Sequence, residues 1–172
     1  MLFAACNSSE AAPANALSQA IAHLKAGELE AFREYLTGGE NSEFFTHVDG
    51  GGELDLMVAA VHHFDLEVLE QEVAGEEANL SIRATNIAGD LITSEVLTFG
   101  NTLMYGLMGE AGTQMLLQEL AATLRANDEP TRTEVVHVPL RKVDGNWLLV
   151  APDKEAPATM FWQILFAFVY DD

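Results

Sequence analysis

Residues Thr131–Val150 read TRTEVVHVPLRKVDGNWLLV, and the architecture expected of the chain follows from how they fold. Asp144-Gly145 separates two runs rich in β-branched and apolar residues, the strongest short-range signal for a β-hairpin. Val136, Val138 and Leu140 alternate with His137, Pro139 and Arg141, which gives the first strand one apolar face. The face of the second strand depends on the turn. A two-residue type I′ turn sets Trp147 and Leu149 beside Leu140. A three-residue loop ending at Gly145 substitutes Leu148 and Val150, because a one-residue slip inverts every side chain. The shorter turn buries the tryptophan and is the one expected. Pro139 has no N–H to give a ladder, so its strand lies at an edge or bulges there.

Working outward, a second strand pair precedes the hairpin. Asp65–Ala74 alternates, with Leu66 and Val68 in one phase and Leu69 and Val73 in the other, a slip that predicts a bulge or bend. Gly75-Glu76-Glu77 turns the chain into a partner strand in which Leu80, Ile82 and Ala84 alternate with Ser81, Arg83 and Thr85. Between the pairs lies a helical insertion. Leu91–Met108 is largely apolar and predicts a mostly buried helix, and Gly112–Ala126 a second one carrying Met115, Leu116, Leu120 and Leu124. Upstream, Asn15 is placed to cap a helix with Leu17, Ile21 and Leu24 on one face, which Gly27 interrupts. A second short helix turns Leu29, Phe32 and Leu36 inward, and Glu53–His63 reads as a third, with Leu54, Met57, Val58 and Val61 on one side. The chain closes on MFWQILFAFVY from Met160, too short for the ~20 residues that span a bilayer. A terminal helix packed on the sheet is the first reading of it. An exposed interface of Phe161, Trp162 and Phe166 is the second.

Of the 172 residues, 27 are acidic and 8 basic, a formal net charge of −19. A surface of that sign repels phosphate backbones, so nucleic acid is not an expected partner. It suits a solvated, self-repelling exterior, one adapted to salt, or one that draws a cationic partner. At 49% hydrophobic and 20% charged residues the composition is that of a globular domain. Cys6 is the only cysteine, which excludes an internal disulfide and a cysteine-rich metal cluster.

The setting of Cys6 is informative. Leu2-Phe3-Ala4-Ala5-Cys6, followed by the Ser/Asn/Ala/Pro-rich run from Asn7 to Asn15, resembles the lipobox and tether of a bacterial lipoprotein. Phe3 stands where leucine is usual, and no charged n-region or apolar h-region precedes it in the sequence. The resemblance implies a lipidated Cys6, a membrane as partner and a place on the outer face of a bacterial envelope, with a signal peptide upstream. An ordinary apolar N-terminus with one free or buried thiol is the alternative. Ala22-His23-Leu24-Lys25-Ala26-Gly27-Glu28-Leu29-Glu30-Ala31-Phe32 and Lys142-Val143-Asp144-Gly145-Asn146-Trp147 resemble the opening helices and closing hairpin of the nuclear-transport-factor-two-like (cystatin-like) superfamily. The overall pattern is similar to small bacterial lipoproteins of unknown function that share this layout.

The chain carries no Walker loop, paired Cys-x-x-Cys, His-Glu-x-x-His or Gly-x-Ser-x-Gly motif. His47, Asp49, Glu53 and Asp55 match no EF-hand or zinc spacing, and His62 and His63 diverge by ~100° on a helix, so neither a metal nor a cofactor is expected. Enzymes of the superfamily place a carboxylate, histidine or tyrosine between helices and sheet, and Tyr35, Asp55, Tyr105 and His137 are the candidates that resemblance implies. Met104, Met108 and Met115 are candidates for lining an adaptable apolar pocket. The expectation is therefore an α+β domain over residues 16–172, with N-terminal helices and a helical insertion packed on a curved, cone-like antiparallel sheet. Residues 1–15 would tether it. Its expected role is binding a small apolar ligand or a protein partner without catalysis. A small acid–base enzyme and a structural accessory subunit are the alternatives.

Overall fold

The structure is a computed structural model and describes residues 12–38, 52–87, 105–127, 131–151 and 160–165. In chain order the elements are α1 (Pro13–Lys25), α2 (Leu29–Arg33), α3 (Gly52–Ala60), β1 (Asp65–Ala74), β2 (Glu77–Ile87), α4 (Glu110–Ala126), β3 (Thr131–Val143), β4 (Asn146–Leu149) and α5 (Met160–Leu165). The strands form one open antiparallel sheet in the order β1-β2-β3-β4, and the helices pack on it as an α+β fold.

Asp144 and Gly145 have φ of 49° and 88°, the left-handed pair that a type I′ turn needs, and Val143 faces Asn146 across it. This is the two-residue turn. Trp147 and Leu149 therefore join Leu140 in the core, and the Lys142 ammonium lies 5.9 Å from the Trp147 ring centre. Pro139 sits where β4 has run out. Its carbonyl accepts from Val150 N–H at 3.0 Å, and its nitrogen, which has no hydrogen, faces the same open edge. The β1–β2 register shifts between Val68 and Glu70, which leaves Leu69 as the bulge residue that the phase slip predicts.

One sheet face is apolar. Leu80, Ile82 and Ala84 of β2 and Val136, Val138 and Leu140 of β3 lie on it under α1 and α5. The opposite face is mostly polar, carrying exposed Arg83, Thr133 and His137 beside an exposed Val135, with the Thr85 and Thr133 hydroxyls 2.9 Å apart across the strands. Such alternation is what an antiparallel sheet covered on one side requires.

α1 starts at Pro13, with Ala12 as N-cap and no side-chain cap, so Asn15 is inside the first turn instead of capping it. Proline at the first helical position loses no bond, since that N–H would be unpaired anyway. The helix thus takes Pro13, Ala14 and Asn15 from the segment read as tether, and Pro13 is buried. Leu17, Ile21 and Leu24 face the core as read, joined by Ala16 and Ala20. The helix ends in a Schellman motif: Gly27, at φ 74°, donates to Leu24 O and Glu28 N–H donates to His23 O. After α2 the chain straightens, and Leu36 forms a parallel bridge to Leu149.

α3 is buried on two sides. Leu54 and Met57 pack on the main core, while Ala59 and Ala60 join Ile87, Ala121 and Leu124 in a second cluster under α4. The expected buried helix over 91–108 lies outside the described residues as far as residue 104. At its described end Leu107 is 82% exposed, contrary to that expectation. Phe161 and Trp162 are buried against the sheet with Ile164 and Leu165, as the reading of a terminal helix packed on β2 and β3 has it and unlike the second reading, in which these two side chains are exposed. Phe166 lies outside the described residues.

One buried polar side chain joins these layers. Asn86, 1% exposed, donates from Nδ2 to the carbonyls of Ala60 (2.8 Å), Ile164 (2.9 Å) and Leu165 (3.0 Å). Its Oδ1 accepts from Ile87 N–H at 2.8 Å. A strand residue thereby reaches main-chain carbonyls of both α3 and α5 and ties the two helices to the sheet.

Candidate functional site

Among the described residues, a groove of about 420 Å³ lies between α1, the chain leaving α2 and the hairpin. Ala16 and Gln19 form one wall, Glu34 and Tyr35 the floor, and Asp144, Asn146, Trp147 and Leu148 the other wall. Each wall has a local cause. The Schellman stop at Gly27 turns α2 back beneath α1, and the type I′ turn projects Asp144 and Asn146 beyond the sheet. The Tyr35 hydroxyl donates to Gln19 Oε1 at 2.7 Å, which fixes both side chains. The volume lies in the range of small-ligand sites, and the lining mixes an aromatic ring with amide and main-chain groups.

His23 adjoins this groove one helical turn beyond Gln19. Its Nδ1 is 2.6 Å from Glu28 Oε2, and its ring centre is 5.7 Å from that of Tyr35. Sequence reasoning missed this pair. The available signal was the His-x-x-x-Gly-Glu spacing, because a Schellman turn brings the residue after its glycine back to the last turn of the helix.

The candidates implied by the superfamily are not brought together. Tyr35 lies in the groove, but its hydroxyl is engaged by Gln19. Asp55, on α3, is held by a two-pronged contact from Arg125 of α4, with Nη2–Oδ1 2.5 Å and Nη1–Oδ2 3.1 Å. These hydrogen bonds hold its carboxyl below the usual range, outweighing the opposing effect of burial. The Tyr105 hydroxyl donates to the Glu119 carboxylate, which raises its pKa and makes it a poorer proton donor. His137 is exposed on the polar sheet face, opposite to the helices. These four residues do not form one catalytic site.

Met108 and Met115, two of the three residues expected to line an apolar pocket, are each 47% exposed, since the buried stripe of α4 is Leu120, Ala121 and Leu124; Met104 lies outside the described residues. Among the described residues no group of three or more His, Cys, Asp or Glu side chains is arranged to hold a metal ion. His47, Asp49 and Cys6 lie outside them. Among the described residues, too, no helix is long and apolar enough to cross a membrane. No family model matches the chain, and no curated protein or solved structure matches it either.

Proposed function

We propose that the chain is the binding domain of a lipid-anchored envelope protein, built on the plan of the cystatin-like bacterial lipoproteins and acting by recognition, without catalysis. The groove between α1 and the hairpin carries this reading. It is roomy, has an aromatic and amide lining, and its tyrosine hydroxyl is paired to an amide instead of a proton-transfer partner. The order of elements, a helix pair first and a Trp-containing hairpin closing the sheet, supports the family resemblance. Ala4-Ala5-Cys6 supports the anchor. An accessory role through the C-terminal helix loses support, because Phe161 and Trp162 are covered.

A small acid–base enzyme has one observation in its favour, the carboxylate–imidazole pair of Glu28 and His23 beside Tyr35. The same pair ties the last turn of α1 to the residue after Gly27, and the Tyr35 proton points to Gln19.

The test is a screen of small aromatic and aliphatic fragments against the full chain, followed by amide chemical shifts. Shifts should cluster at Gln19, Tyr35, Asn146 and Trp147. Gln19→Trp, an exposed position whose new side chain fills the groove, should abolish them while the domain stays folded, with no more than the small loss expected from one exposed hydrogen bond. Shifts confined to another part of the domain would refute the groove as the site.

A further inference from the structure

The groove borders a strand edge whose hydrogen bonds are incomplete, and this observation identifies its occupant more closely. Across the hairpin, Val143 pairs with Asn146 and Arg141 with Leu148, and Val150 N–H reaches Pro139 O in the same phase. In an antiparallel ladder every second residue turns its N–H and C=O away from the partner strand. On β4 those residues are Trp147 and Leu149.

Leu149 is satisfied from outside. Its N–H donates to Tyr35 O at 2.7 Å and its carbonyl accepts from Thr37 N–H at 2.8 Å. Trp147 has no such partner among the described residues. The segment from Tyr35 to Thr37 cannot continue along β4, because Glu34 is already helical, at φ −63° and ψ −19°. The sheet therefore stops one residue pair short, at the floor of the groove.

We infer that the groove takes a short, extended, cationic peptide segment, which pairs with the Trp147 main chain as an added strand. Strand addition is an established way to recognise a peptide: main-chain bonds hold it, and alternate side chains give selectivity. Charge sets the sign of the partner. Glu34 and Asp144 flank the groove, both exposed and neither bonded through its side chain to another described residue. With a net charge of −19 on the chain, a lysine- or arginine-bearing strand is attracted, and a second copy of this protein is repelled. The β1 edge is guarded differently. β1 carries exposed Glu67, Glu70 and Glu72 and the bulge at Leu69, features that discourage pairing. The edge at Trp147 has no bulge.

This inference rests on the reading of the groove as a binding surface, and the test separates the two. The probe is the blocked pentapeptide acetyl-Val-Lys-Val-Lys-Val-amide, titrated into the full chain and followed by the Trp147 main-chain amide signal. The expected result is a saturable Trp147 shift with slowed amide exchange. Methylating alternate peptide nitrogens should weaken binding at least tenfold, and methylating the intervening ones should change it little. The double substitution Glu34→Gln, Asp144→Asn should weaken it several-fold with the fold intact. Equal binding of every methylated peptide would overturn main-chain pairing. A Trp147 shift that grows with protein concentration alone would place a second copy there and overturn the peptide. If indole moves the groove signals while the peptide does not, the strand inference falls and the binding surface stands; if neither moves them, both fall.

Discussion

Replacing Asn86 with alanine should damage this domain more than most single substitutions. The side chain is 1% exposed and serves one N–H and three carbonyl oxygens with two amide hydrogens, one of them shared. Alanine would remove the bonds that Ile87 N–H and three carbonyls make to this side chain in a closed site. Each orphaned group costs about 1–3 kcal/mol, and water entering the vacated space recovers part of that, so the net loss should be about 3–5 kcal/mol. For a domain of this size that is a fall of roughly 10 °C in melting temperature. Urea unfolding followed by the fluorescence of Trp147 and Trp162, both buried, measures it directly. The midpoint should fall with the slope unchanged, since the surface exposed on unfolding is nearly the same. Asn86→Asp should also destabilise near neutral pH, because a carboxylate donates nothing to three carbonyls. A loss under about 1 kcal/mol for Asn86→Ala would refute the claim that this residue joins the helix ends to the sheet.

The remaining expectations concern the hairpin, the α3–α4 contact and the anchor. Trp147→Ala should cost about 3–5 kcal/mol in the same assay, as large aromatic truncations in cores do, and a much smaller loss would contradict its placement beside Leu140. The Asp55 carboxyl is depressed by Arg125, so its contribution to stability is complete above the unfolded value near ~3.9 and disappears as pH falls through the lower folded value. Both side chains are more than a third exposed, so Asp55→Asn should cost no more than about 1 kcal/mol at pH 7 and nearly nothing at strongly acid pH. A loss that persisted unchanged in acid would point to packing instead of charge. Expressed from its natural start, the protein should fractionate with membranes, and Cys6→Ser should release it or block its maturation; equal membrane association of the variant would remove the anchor.

The sheet was legible where a local signal left few readings. Asp144-Gly145 allowed two turns, and the shorter one, preferred because it buries Trp147, is the one that forms. The phase slip at Leu69 marked the bulge because period-two alternation tolerates no extra residue. The start of α1 was misplaced since Asn15 resembles a cap by type, whereas Pro13 suits the first helical position by conformation. Phe161 and Trp162 were ambiguous for a different reason. A run that is apolar all round has no period to say which side is covered. Asn86 gave no signal at all, because its helix-end partners Ile164 and Leu165 are 78 and 79 positions further along the chain. The groove was hidden for the same reason: α1 and Tyr35 meet the hairpin through contacts between residues more than a hundred positions apart, such as the bridge from Leu36 to Leu149.

That groove is the centre of the functional account, and photo-crosslinking in living cells tests it most directly. A benzophenone amino acid placed at Leu148, partly exposed at the groove, should trap a specific adduct, and the same probe at Glu72 on the β1 edge should trap none. Adding Gln19→Trp should erase the Leu148 adduct without lowering the amount of folded protein. Adducts of equal yield at both positions, or a Leu148 adduct indifferent to Gln19→Trp, would contradict the assignment of the groove as the binding surface.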